Sequence, residues 1–121
     1  MVKQVGTDEQ GRTQLMLAAR YQSKETVKAL LTYDARRRGE LFLTDKDGRT
    51  ALFYAAERGD KDIVWMLLSS LTGTGVFCQR GALLDVRDNE GHLAEDWAQI
   101  NGHEEIRRIL SAERLRIEYF E

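Results

Sequence analysis

The stretch Asp45–Leu68, DKDGRTALFYAAERGDKDIVWMLL, decides the fold, because it states one structural unit in full and the flanking sequence repeats it. The unit opens with an Asp-x-x-Gly turn, continues into a helix with the small pair Ala55-Ala56, breaks at Gly59-Asp60, and closes with Ile63, Val64, Leu67 and Leu68 at helical spacing. Laid on the rest of the chain, it matches DEQGRTQLMLAARYQSKETVKALL from Asp8 to Leu31 and DNEGHLAEDWAQINGHEEIRRIL from Asp88 to Leu110. Gly11, Gly48 and Gly91 then align, at spacings of 37 and 43 residues.

Each unit resembles an ankyrin repeat, whose usual period is about 33 residues, so the two joints carry insertions of about four and about ten residues. The resemblance implies a mainly α-helical solenoid of stacked helix-turn-helix units joined by β-hairpin-like loops. It implies one domain over residues 1–121, with repeats at about 8–44, 45–87 and 88–121. It also implies a binding surface without chemistry of its own. One departure is the absence of proline, since the family commonly opens its first helix with Thr-Pro-Leu. The equivalent places read Thr13-Gln14-Leu15, Thr50-Ala51-Leu52 and Leu93-Ala94-Glu95, and Gln and Ala still favour helix.

Composition narrows the function classes. Eighteen Lys plus Arg nearly balance 20 Asp plus Glu, for a formal charge of -2, so overall charge gives no reason to expect nucleic acid or an anionic membrane as partner. No apolar run reaches the roughly 20 residues of a membrane span, and the N-terminus lacks the apolar core of a signal peptide. The expectation is a soluble intracellular protein of cytoplasm or nucleus. Cys78 is the single cysteine, so neither an internal disulfide nor a multi-cysteine zinc site can form.

In chain order, residues 1–7 form a frayed entry and Asp8–Gly11 a tight turn, after which Thr13 caps a first inner helix with Leu15, Ala18 and Ala19 on one face. An outer helix from about Lys24 to Leu31 buries Val27, Leu30 and Leu31. Arg36, Arg37 and Arg38 follow near its C-terminus, either as a solvated end or as an anionic-partner patch, and Leu41–Leu43 run extended into the next turn. In the second unit Trp65 and Met66 widen the apolar run, so at least one of them is partly exposed. The joint at 69–80, SSLTGTGVFCQR, is a loop whose Val76, Phe77 and Cys78 fold back onto the outer helices or meet a partner. The third unit is degenerate and cap-like. Glu95 stands where the other units have a buried leucine, which requires that face to be open to water. The tail 111–121 forms a final helix or docks on the stack.

Catalytic constellations are not found. One Cys and two His give no plausible nucleophile, base and orienting group, and the GTG at 73–75 lacks the Lys-Ser/Thr of a phosphate loop. His92 and Asp96, four apart, pair as a surface salt bridge rather than as two ligands of a metal site. The chain is therefore expected to be non-enzymatic and to need no cofactor or metal.

In the family the partner lies in the concave groove, against the turn tips and the solvent side of the inner helices. Carried over by position, the partner-binding residues are Arg12, Lys46, Arg49, Asn89 and His92 at the tips. Arg20, Tyr21, Glu57 and Arg58 stand at the inner-helix ends. Four arginines beside Tyr21 suit a partner that presents carboxylates or phosphates, while Glu9, Asp47, Glu57 and Glu90 interrupt the patch; the alternative is a groove whose charges pair with one another. The first expectation is a monomeric protein-interaction module, a fragment of a larger protein. Similarity of the plain D-x-x-G-x-T-A-L style to the repeats attached to NIMA-related kinases of protists implies a targeting tail of such an enzyme. A structural, self-associating role is the competing class.

Overall fold

The computed structural model describes residues 8–33, 41–69 and 83–120, side chains at 32–33 and 116–120 excepted. The expectations for residues 1–7, Arg36–Arg38 and Val76–Cys78 fall outside those residues. Among the described residues the main helices follow in pairs: α1 (Gln14–Tyr21) with α2 (Lys24–Tyr33), α3 (Ala51–Arg58) with α4 (Lys61–Ser69), and α5 (Ala94–Ile100) with α6 (Glu104–Phe120). Inner helices α1, α3 and α5 stack in a row, and outer helices α2, α4 and α6 stack behind them. Among the described residues there is no strand.

The stack closes because its facing positions are small or aliphatic. Ala18, Ala19, Ala55, Ala56 and Ala98 are fully or almost fully buried between inner helices, which lets the backbones approach closely. Leu15, Leu52, Val27, Ile63, Leu67, Leu68, Ile106 and Leu110 fill the space between the inner and outer rows. Trp65 keeps 39% of its surface exposed, so the wide apolar run of α4 does reach solvent, as its width requires.

Helix ends are set by local chemistry. Thr13 Oγ1 accepts the Met16 N–H at 3.2 Å and caps α1. Gly59 ends α3 in the left-handed region at φ +87°, donating its N–H to Ala55 O. A side chain there would collide with the His103 ring, which lies 2.5 Å from the position of a Cβ. The first unit has Gln22 in place of that glycine, in extended conformation. The carbonyls at that helix end are met instead by Arg58, which donates to Ala19 O at 3.2 Å and to Gln22 O.

Three details differ from the sequence expectations. Leu41 and Phe42 form a 3₁₀ turn rather than an extended run, because Leu41 is drawn fully into the core. Residues 111–120 are helical, as one of the two expected forms of the tail requires, but they prolong α6 without a break and form no additional helix. Finally, Glu95 is not open to water. Its side chain is only 13% exposed, and Arg114 of α6 closes over it with hydrogen bonds of 2.8 and 3.2 Å, neutralising a charge that would otherwise be costly at a core position.

Outer helices are tied across the units by a repeated ion pair. Lys24 reaches Asp62 at 2.9 Å and Lys61 reaches Glu105 at 3.1 Å, each lysine opening one outer helix and each acid standing second in the next. The third unit has Glu104 where the lysine would stand, and it turns to Arg107 and Arg108 of its own helix. These pairs are exposed and contribute little individually.

Candidate functional site: the concave tip groove

All three turn tips are built around one aspartate. Asp8 Oδ1 accepts the N–H groups of Gln10 and Arg12, Asp45 Oδ1 those of Asp47 and Arg49, and Asp88 Oδ1 those of Glu90 and His92, all between 2.8 and 3.0 Å. The tips are hairpin-like, since Asp8, Asp45 and Asp88 each donate their own N–H to the carbonyl four residues on. Each tip is then sewn to the next: Lys46 N–H donates to Gln10 O at 2.9 Å, and Asn89 N–H donates to Asp47 O at 2.8 Å. Asn89 adds a side-chain bond from Nδ2 to Lys46 O at 2.8 Å.

The second oxygen of each aspartate meets a different partner. Asp45 Oδ2 accepts the Tyr54 hydroxyl and Asp88 Oδ2 accepts Trp97 Nε1–H at 2.7 Å, both donors standing nine residues after the tip aspartate. In the first unit that place holds Leu17, which has nothing to donate, and Arg12 Nε–H bonds Asp8 Oδ2 at 2.8 Å instead. Burial together with the bond to Asp45 pushes the Tyr54 phenol well above its ordinary range. For Asp88, burial acts to raise the carboxyl, but the donors from Trp97, His92 and Glu90 outweigh it and hold the group below its usual value.

Five of the residues expected in the groove line one open cavity of about 200 Å³ between the first two units. Arg12, Arg20 and Tyr21, with Gln10, form its first-unit wall. Arg49 and Glu57, with Asp45, Asp47 and Tyr54, form the other. Arg20 bridges the walls through a 2.5 Å contact to Glu57, its guanidinium lying against the Tyr21 and Tyr54 rings at 5.3 and 5.8 Å. Tyr21 is 64% exposed at the rim. Arg49 lies over the Trp97 ring at 4.4 Å.

The other four expected residues are placed differently. Arg58 is turned onto the end of α1, Asn89 is spent on the neighbouring tip, and Lys46 is exposed on its tip. His92 lies before α5 and does not pair with Asp96, whose carboxylate accepts the Leu93 N–H at the start of that helix. The imidazole instead meets the Trp97 ring edge-on, with Nδ1 3.8 Å from Asp88 Oδ1 and 3.7 Å from Glu90 Oε1.

Asp88, Glu90 and His92 can each offer one metal-ligand atom within 4.8 Å of the others. Asp88 already accepts three hydrogen bonds, and three side chains are fewer than the four ligands of a closed structural site.

Sequence reasoning did not single out Tyr54 and Trp97, although their common nine-residue distance from Asp45 and Asp88 is a signal that could have found them. A family model described as ankyrin repeats, in three copies, matches residues 2–76 and again residues 39–119. A search of curated proteins gives no match.

Proposed function

The chain belongs to the ankyrin repeat family, whose members are generally protein–protein interaction modules and typically non-catalytic, and from that premise we propose that it binds a polypeptide partner in its concave groove as a monomer. The observation that carries this reading is the cavity shared by the first two units, where Arg12, Arg20, Tyr21, Arg49 and Glu57 converge from separate parts of the sequence. It has a tyrosine at the rim, arginines fixed by ring and carboxylate contacts, and rigid tips hydrogen-bonded to one another. Interfaces favour such anchors, because little side-chain freedom is left to lose on binding. Among the described residues no helix is long and apolar enough to cross a membrane.

A binder selected against the chain from a random peptide display library tests the proposal. Arg12→Glu combined with Tyr21→Ala should weaken that binder by about tenfold or more, as loss of an anchor does. Lys28→Glu with Lys61→Glu, on the outer helices, should leave it within about twofold. Light scattering should give the mass of a single chain. A binder insensitive to the groove change and weakened by the outer one contradicts the proposal, and a concentration-dependent dimer would favour self-association instead.

A further inference from the structure

Arg49 differs from Arg12, Arg20 and Arg58 in that its side chain has no hydrogen-bond acceptor among the described residues. Arg12 is hydrogen-bonded to Asp8, Arg20 to Glu57, and Arg58 to the carbonyls that end α1. The Arg49 side chain is only 20% exposed and makes no hydrogen bond to any described residue; its Nε is buried without a partner. The nearest carboxylate oxygen, Asp88 Oδ2, lies 3.8 Å from that nitrogen, beyond hydrogen-bond reach, and accepts Trp97 Nε1–H at 2.7 Å. Asp88 therefore lends Arg49 opposite charge without satisfying its donors. The Trp97 ring covers one face of the guanidinium, which leaves the terminal in-plane N–H groups for recognition.

The acids beside the cavity do not fill that demand. Asp45 accepts two backbone N–H groups and the Tyr54 hydroxyl, and Glu57 is paired with Arg20. Asp47 is exposed on its tip. What the cavity lacks is an acceptor for a partly desolvated guanidinium, and buried donors without acceptors are costly enough to be rare.

We propose that the cavity between the first two tips is a carboxylate pocket, in which Arg49 receives a glutamate or aspartate side chain of the partner polypeptide. Arg49 is held flat by Trp97 and lies beside the opposite charge of Asp88, so a bidentate carboxylate contact needs little further ordering. Arg12 and Tyr21 border the entry. This inference rests on the groove being the binding face, and its test is arranged so that the two can fail separately.

The intact chain is titrated with acetyl-Glu-Glu-Glu-amide, acetyl-Gln-Gln-Gln-amide and inorganic phosphate while the Trp97 indole and Arg49 Nε–H resonances are followed by NMR. The glutamate peptide should shift both resonances saturably, and a spin label on it should broaden amides at 10–12 and 47–49. The glutamine peptide should leave them unmoved. Arg49→Gln should weaken the glutamate peptide by about tenfold or more, the factor one hydrogen bond to a charged group carries. Equal response to both peptides in the unaltered chain overturns the proposal whether or not the variant folds. So does broadening centred on Lys24 and Lys61, or an equal response to phosphate, which would make the site a general oxyanion receptor. A selected groove binder without acidic residues, indifferent to Arg49→Gln, would refute the pocket and leave the groove reading standing. A binder that maps to the outer helices would refute the groove reading itself.

Discussion

The inner helices of the second and third units, α3 and α5, start from the same Asp-x-x-Gly tip and meet different surroundings. α3 lies between α1 and α5, and its Leu52, Ala55 and Ala56 are fully buried. α5 packs on α3 and α6, and the places equivalent to Leu52, Ala56 and Glu57 hold Glu95, exposed Gln99 and Ile100, which is 58% exposed. Where a helix is covered on both sides, apolar packing holds it. Where it is covered on one, polar pairing replaces part of that packing. Arg114 neutralises Glu95, Asp96 receives the Leu93 N–H, and Trp97 ties the helix to its tip aspartate. The same frame is thus kept by two different chemistries.

The largest expected effect separates the tips that lead into these helices. Gly48 has φ +81°, and an added Cβ would stand 2.7 Å from Asn89 Oδ1 and 3.1 Å from Asn89 N, within the contact that joins the second tip to the third. Gly91 has φ +86° and open space around it. Urea melts should show Gly48→Ala destabilising by about 3 kcal/mol and Gly91→Ala by about 1 kcal/mol, the second figure being backbone strain alone. Equal losses would mean that the tips do not touch.

Next in size is a volume test in one register. Ala56→Leu should cost about 1 to 3 kcal/mol because α3 has neighbours on both sides, whereas Gln99→Leu on α5 should stay within about 0.5 kcal/mol. Arg114→Ala should cost about 1 to 2 kcal/mol by leaving Glu95 part-buried without its partner. The double change Glu95→Leu with Arg114→Leu should recover most of that loss in thermal melts, since an apolar pair can replace a buried ion pair. Failure of the double variant to recover would show that the pair does more than cover the helix.

The smallest effect concerns acid. The Asp88 carboxyl is held below its ordinary value near 3.8, so its contribution is complete above that pH and is lost as the pH falls through the lower folded value. The melting temperature of the chain should therefore drop as pH is lowered below about 4. Asp88→Asn should lower stability at neutral pH and flatten that acid limb. An unchanged acid limb would place the pH sensitivity elsewhere.

Much of this architecture is legible in the sequence, because it depends on short spacings. Aligned glycines fix the tips, Thr13 announces its cap, and the alanine pairs announce close helix packing. What is not legible depends on side chains that meet across units. Arg114 reaches Glu95 from another helix, and Arg58 reaches back to the end of α1. The expected His92–Asp96 pair does not form because the helix starts after His92, so the two are not one turn apart on a common face. Position alone places Arg12, Arg20 and Arg49 in the groove, but only coordinates distinguish arginines already paired from the one without a hydrogen bond.

Amide hydrogen exchange of the chain, with and without a saturating library-selected binder, tests most directly whether the tip groove is the binding face. Exchange should slow over residues 8–21 and 45–58, the tips and inner helices that enclose the cavity, with little change over 24–31 and 61–69. Protection confined to those outer-helix segments, with the tips unaltered, would contradict a groove-binding module.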